Sequence, residues 1–311
     1  MEESNFNYCK RWRVYLHERF PLIANSLLIA TFTFSAISYS RICREVHGFI
    51  SPTLYVVASF TTITLFYLLR VFDEHKDAAD DKAFRSHLPI PRGLLKLRDL
   101  RVSAFIVIIM QITVNAVFYP SGLLLYAVVF VFLLLMWREF FVSKWLKNRP
   151  VVYALSHMFI IPLVDIYASG TDWLLDGVTA PKGLLFFFIV SYLNGLVLEV
   201  GRKIRVSENE EHNTYSTLYG ANKATIIWIG LLFIDLLCSL LAAHYAQLGL
   251  VANLVLVLLF GVAIVPAILF LKKKNEKRSK MIEVFSGIWT LLMYLTLGGI
   301  PMILNIINKW S

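Results

Sequence analysis

The sequence predicts an all-α protein, a polytopic bundle of about nine transmembrane helices, and three observations carry that prediction. The chain of 311 residues is 58% hydrophobic and only 16% charged, with 23 phenylalanines, a composition well outside that of soluble domains. Its apolar residues gather into runs of roughly the 20 residues that a helix needs to cross hydrocarbon, near 22–38, 52–72, 102–119, 121–137, 151–169, 183–203, 223–243, 249–271 and 284–307. The basic residues between the runs are unevenly placed. Of 30 Lys and Arg, 26 fall before the first run or in 70–101, 138–149, 202–223 and 272–280, and only Arg41, Arg44, Lys182 and Lys309 fall elsewhere. Because positive charge accumulates on the cytoplasmic side, this pattern predicts a cytoplasmic N-terminus and an outer C-terminus.

In chain order, residues 1–21 are mixed in charge and aromatic, which suits a short helix lying along the cytoplasmic interface. The run at 22–38 is too long for a signal-peptide core and reads as the first membrane helix. The third and fourth runs are separated only by Tyr119-Pro120-Ser121-Gly122, a turn signature that predicts an antiparallel hairpin. No stretch is left for a soluble domain, so 1–311 reads as a single transmembrane domain. Polar residues inside the runs, among them Thr61, Thr64, Gln111, Asn115, His157, Tyr192, Asn194 and Asp235, are expected to hydrogen-bond between helices or line a cavity. Asp165, with Asp172 and Asp176 following, reads as an external cap or loop residue. The formal charge of +9 is accounted for by the topology pattern, and nucleic acid is not an expected partner. Cys9, Cys43 and Cys238 show neither metal spacing nor a disulfide framework. The phosphate-loop, dinucleotide, zinc-protease and serine-hydrolase motifs are all missing from the sequence.

The stretch Leu68–Leu97, LLRVFDEHKDAADDKAFRSHLPIPRGLLKL, is where an apolar run gives way to dense charge. Asp73, Asp77 and Asp81 stand four residues apart, so a continuing helix puts them on successive turns of one drifting face, with Asp80 filling the angular gap. Carboxylate oxygens suit a hard cation, and Mg²⁺ binds through one or two of them together with water and substrate phosphates. Arg70, Lys76, Lys82 and Arg85 interleave the acids, as a site for a metal-bound diphosphate requires. The competing reading of the spacing is a solvated juxtamembrane helix laced with ion pairs.

At these residues the sequence resembles the UbiA superfamily of intramembrane prenyltransferases. Asp73 and Asp77 match the two acids of its N-x-x-x-D-x-x-x-D signature. Leu69 stands where Asn is usual, and a shifted register puts Asp73, Asp77 and Asp81 on the three motif positions. LPIPRG at 88–93 is similar to the R-P-L-P-x-G segment, with Leu88 at the Arg position. Where the second signature, D-x-x-x-D, would follow the sixth helix stands LEVGRKIRVSENEEHNTYSTLYG (198–220), with Glu199, Arg202 and Lys203, then Glu208, Glu210 and Glu211. The resemblance implies Mg²⁺ held by Asp73 and Asp77, supported by Asp80 or Asp81 and with Glu199 as the second-site candidate. It further implies an isoprenyl diphosphate contacted by Arg70, Lys76, Arg202 and Lys203. An apolar cavity is expected to be lined by Tyr67, Tyr192, Asn194 and His157. A lipophilic or aromatic acceptor makes such a protein a prenyltransferase, and an internal alkene makes it a terpene cyclase. A membrane carrier that uses the buried polar residues is the non-enzymatic alternative.

Overall fold

The computed structural model of the chain describes residues 6–206 and 215–310, with side chains through Ile307. The described residues are helical throughout apart from turns and connections, without a strand, and nine helical stretches are long and apolar enough to cross a membrane. The chain divides into two compact units, one made of 1–30 with 51–141 and the other of 31–50 with 142–311.

The first unit opens with α1 (Tyr8–Arg19), capped by the Asn7 side chain, which accepts a hydrogen bond from the Lys10 amide. Helix α2 (Leu22–Cys43) runs through Ala30 in this unit. Then come α3 (Pro52–Lys76), α4 (Ala78–Phe84), α5 (Leu97–Phe118) and α6 (Leu123–Trp137). Helix α3 packs against both α5 and α6. Lipid tails offer helices no hydrophobic drive to associate, so polar side chains and close packing specify their contacts. Here Gln111 donates to Thr64 Oγ1 at 2.7 Å, Asn115 donates to Thr61 Oγ1 at 2.9 Å, and the Tyr126 hydroxyl donates to Gln111 Oε1 at 2.9 Å. Thr61, Thr64, Gln111 and Asn115, expected to hydrogen-bond between helices or line a cavity, pair between helices here. The predicted turn between the third and fourth runs is a single 3₁₀ turn at Pro120–Gly122, and a Cβ on Gly122 would sit 1.9 Å from the Tyr119 ring, so only glycine fits there. At the other end of the unit the Glu18 carboxylate accepts from Arg92, and this hydrogen bond holds its pKa below the usual Glu value. A lowered folded-state pKa stabilises above the unfolded value and is lost as pH falls through the lowered one. The Glu18 contact is therefore complete at neutral pH and released in acid.

The second unit takes up α2 from Thr31, and continues with α7 (Ser143–Lys147), α8 (Pro150–Met158), α9 (Ile160–Trp173), α10 (Leu184–Arg202), α11 (Tyr215–Tyr219), α12 (Ala221–Tyr245), α13 (Gly249–Ala263), α14 (Val265–Lys272), α15 (Glu276–Tyr294) and α16 (Ile300–Trp310). Helix α10 is its centre, packed against α8, α9, α12 and α15. Glycines permit the approach: a Cβ on Gly201 would meet Ser286 Oγ at 2.2 Å, the hydroxyl to which Trp228 Nε1 donates at 3.0 Å. Three of the apolar runs are broken helices. Pro162 and Pro266 follow the breaks at Phe159 and Ile264, consistent with proline's missing N–H, and a π-helical turn at Leu295–Gly299 divides α15 from α16. The last span also starts earlier than its apolar run, at Glu276, because Asn275 caps it by accepting from the Arg278 amide.

Asp165 is a correction to the sequence reading. It lies in the first half of α9 with no exposed surface, rather than at an outer cap. Asp235 is equally buried and accepts from Trp289 Nε1 at 2.8 Å. Asp172 is also inside the fold. Its carboxylate accepts from Arg41 at 2.9 Å and from Ser40 at 2.7 Å, and it pairs with Arg44 at 2.8 Å.

Candidate functional site

The charged residues singled out by spacing form two clusters, one in each unit. In the first, α3 is apolar through Leu69, with Leu65 and Leu68 buried, and turns charged from Arg70 onward. The bend at Asp77 does not interrupt the helical ladder. The amides of Asp77, Asp81 and Arg85 donate to the carbonyls of Asp73, Asp77 and Asp81, each at 2.8 Å, so the four-residue spacing is realised as successive turns across α3 and α4.

Tertiary packing gives those acids different surroundings. Asp73 is 34% exposed and paired with Lys76 Nζ at 3.1 Å, while Asp77 is half-buried at the bend. Asp80 is exposed, whereas Asp81 is buried and paired with Arg85 at 3.3 Å. Arg70 is half-buried and acts electrostatically on the nearby Tyr15 hydroxyl. Tyr67 is buried, with its hydroxyl 2.6 Å from Ser103 Oγ and its ring edge-on to Phe20. Among the described residues no three His, Cys, Asp or Glu side chains gather as a ready metal cage. A Mg²⁺ ion that keeps its waters needs only one or two carboxylates beside the phosphates. Asp73 and Asp77 fit that donor set, and Asp81, committed to Arg85, fits it less well.

The second cluster closes α10. Glu199 is buried, with Lys203 Nζ 2.6 Å from Oε1 and Arg202 Nε 2.8 Å from Oε2. Lys203 also stands 5.6 Å from the centre of the Tyr215 ring. Burial, and then the Glu199 charge, push the Tyr215 hydroxyl well above the usual phenol range, so it stays neutral. With a cation on each oxygen, Glu199 has the surroundings of an anchor for two basic side chains. A Mg²⁺ ligand with an open coordination face would look different. Glu208, Glu210 and Glu211 lie outside the described residues.

Of the cavity candidates of the second unit, Tyr192 and Asn194 are held by neighbouring helices, and His157 hydrogen-bonds within its own helix, α8. The Tyr192 hydroxyl donates to the Leu155 carbonyl at 2.9 Å. Asn194 is buried and accepts from Thr290 at 3.2 Å. His157 stacks on Tyr153 with ring centres 3.9 Å apart, and its Nδ1 lies 2.9 Å from the Tyr153 carbonyl. An open cleft of about 850 Å³, lined by His244, Tyr245, Gln247 and Asn253 among others, includes none of the candidate residues.

Spacing missed Glu74. It is 1% exposed and ion-paired with Arg19 of α1. It falls outside the four-residue series, and only its apolar neighbours in α3 hinted that it points inward.

No protein-family model and no curated protein matches the sequence. Solved structures do match in fold. A UbiA homolog from Aeropyrum pernix K1 superposes with a TM-score of 0.66 at 13% identity, covering 91% of this chain and 98% of that one. A digeranylgeranylglyceryl phosphate synthase gives a TM-score of 0.59 at 15% identity, covering 92% of this chain and 98% of that one. With nine membrane-length helices among the described residues and nearly the full length of both chains shared, this protein has the UbiA fold.

Proposed function

We propose that this protein is a Mg²⁺-dependent intramembrane prenyltransferase that ionises an isoprenyl diphosphate at its cytoplasmic face and passes the prenyl group to a lipophilic or aromatic acceptor. The observation that carries this reading is the pair Asp73 and Asp77, one turn apart where apolar α3 turns charged, in a chain with the UbiA fold. The named synthase among the neighbours supports prenyl transfer as the reaction class.

Bound Mg²⁺ would neutralise charge developing on the leaving diphosphate. Asp73 and Asp77 would hold it, and Arg70, which makes no ion pair among the described residues, would offer its guanidinium to phosphate oxygens. Lys76 would orient Asp73. Arg202 and Lys203, steadied by Glu199, would act as fixed cations where the resemblance leads one to expect a second carboxylate pair. The allylic C–O bond breaks with its electron pair leaving on the diphosphate. The allylic carbon then bonds to the acceptor, which releases a proton. Aromatic faces such as those of Tyr67 and Tyr192 suit a passing cation.

The test is pyrophosphate release from geranyl, farnesyl or geranylgeranyl diphosphate with Mg²⁺, with and without a phenolic acceptor. Release that needs the acceptor supports transfer. Release without it, giving hydrocarbons, replaces transfer by cyclisation, and no release at any chain length favours a carrier.

On this reading Lys203→Ala weakens diphosphate binding by about ten-fold, the scale of one charge-assisted contact, and leaves the Mg²⁺ requirement unchanged. Titrating each ligand separately measures both. Higher activity in Lys203→Asp would instead mark position 203 as a lost metal ligand.

The proposed orientation has its own check. In a background lacking Cys9, Cys43 and Cys238, a cysteine at Lys274 is expected to react with an impermeant thiol probe only from the cytoplasmic side. One at exposed Val178 should react only from outside. Labelling with the two sides exchanged would reverse the assignment, and labelling of both from one side would overturn the three spans between them.

A further inference from the structure

Helix α1 ends in two adjacent charges that reach two different parts of the first cluster's surroundings. Glu18 takes the Arg92 guanidinium in a bidentate pair, Nη1 to Oε2 and Nη2 to Oε1, each at 2.8 Å. Arg92 belongs to LPIPRG. Arg19 pairs through Nε with Glu74 Oε1, and Glu74 adjoins Asp73. One turn earlier on α1, Tyr15 is fully buried. Burial and the Glu74 charge push its hydroxyl well above the phenol range, so Tyr15 stays neutral beside that carboxylate. Phe20, just past the helix, meets the Tyr67 ring edge-on at 5.8 Å.

The physical weight rests on Glu74. A carboxylate this buried is tolerated only when paired, and its second oxygen is buried without a hydrogen-bond partner among the described residues. Arg19 therefore carries its neutralisation, from a helix 55 residues earlier in the chain. Undocking α1 would leave Glu74 unpaired, one residue from Asp73, and would free LPIPRG in the same event.

We infer that α1 is a clamp, with Glu18 and Arg19 as positioning residues that hold the end of α3 and the LPIPRG segment in fixed relation, so that the diphosphate cluster is preorganised. The catalytic part of this inference rests on the function proposed above, while the docking of α1 does not. Preorganisation of this kind acts on binding by removing the cost of ordering a loop.

The test compares Glu18→Arg, Arg92→Glu and the double exchange, all at partly exposed positions that leave the core untouched. Amide hydrogen exchange over 78–93 is expected to rise about ten-fold in each single variant, the signature of a locally weakened unit. KM for the isoprenyl diphosphate should rise about five-fold with kcat changed less than two-fold, as expected when an ordering cost is added to binding. The double exchange should restore both. Wild-type exchange rates in the single variants would overturn the clamp. Faster exchange with unchanged KM would reduce α1 to a stability element and overturn its positioning role. If the wild-type protein turned over no isoprenyl diphosphate, the proposed function and the positioning role would fall together, and exchange would still decide whether α1 docks as described.

Discussion

Alanine at Asp73 or at Asp77 is expected to lower Mg²⁺-dependent pyrophosphate release at least about a hundred-fold, on the order of 3 kcal/mol of transition-state stabilisation. The size follows from the small donor set. Asp81 is committed to Arg85 and Glu199 to Lys203 and Arg202, so neither of these buried carboxylates is placed to replace Asp73 or Asp77. The fold should survive. Asp73 is 34% exposed and its Lys76 pair is a helix-surface contact, worth at most about 1 kcal/mol. Thermal unfolding and gel filtration in detergent separate the two effects. A variant that melts like the wild type and has lost turnover supports the metal pair, and near wild-type turnover in both variants would sink it.

The largest stability loss is expected at a residue with no proposed role in chemistry. Asp172 has a fully buried side chain and holds two guanidinium groups, with Arg41 Nη1 at 2.9 Å and Arg44 Nη1 at 2.8 Å, while Ser40 donates to its other oxygen. Both arginine side chains are largely buried. Removing one partner of a buried pair leaves uncompensated charge and costs about 3–5 kcal/mol, so Asp172→Ala should unfold at a clearly lower temperature or fail to accumulate. Asp176→Ala is the control. It pairs with Arg44 at 2.8 Å but is 50% exposed, so its loss should change little. Equal melting temperatures for the two variants would show that burial does not set the strength of this cluster.

The candidate site was legible in part. Asp73, Asp77 and the neighbouring cations could be picked out because a dense charge cluster interrupts an apolar run, and the helical ladder through Asp77 keeps their spacing. The unequal fates of Asp80 and Asp81 could not be read, since both lie in the same charged stretch and only packing buries one of them. Glu74 was missed for a related reason. Its partner Arg19 comes from a separate helix, and no local spacing rule links the two. Arg202 and Lys203, by contrast, were picked out through the resemblance, at the place of the second signature, and the structure pairs them with Glu199 three and four residues away, the reach of one helical turn.

By itself the sequence determined the class of the protein, the number and approximate position of its membrane helices and the place where charge meets the apolar bundle. These depend on transfer free energies summed over some twenty consecutive residues, which local composition reports directly. Tertiary structure decided the helix breaks at Phe159 and Ile264, the burial of Asp165 within α9, and the pairings of Asp172 with Arg41 and Arg44 and of Glu74 with Arg19. A buried charge takes whichever partner the packing of other helices brings within reach, and that choice is written in no single stretch of the chain.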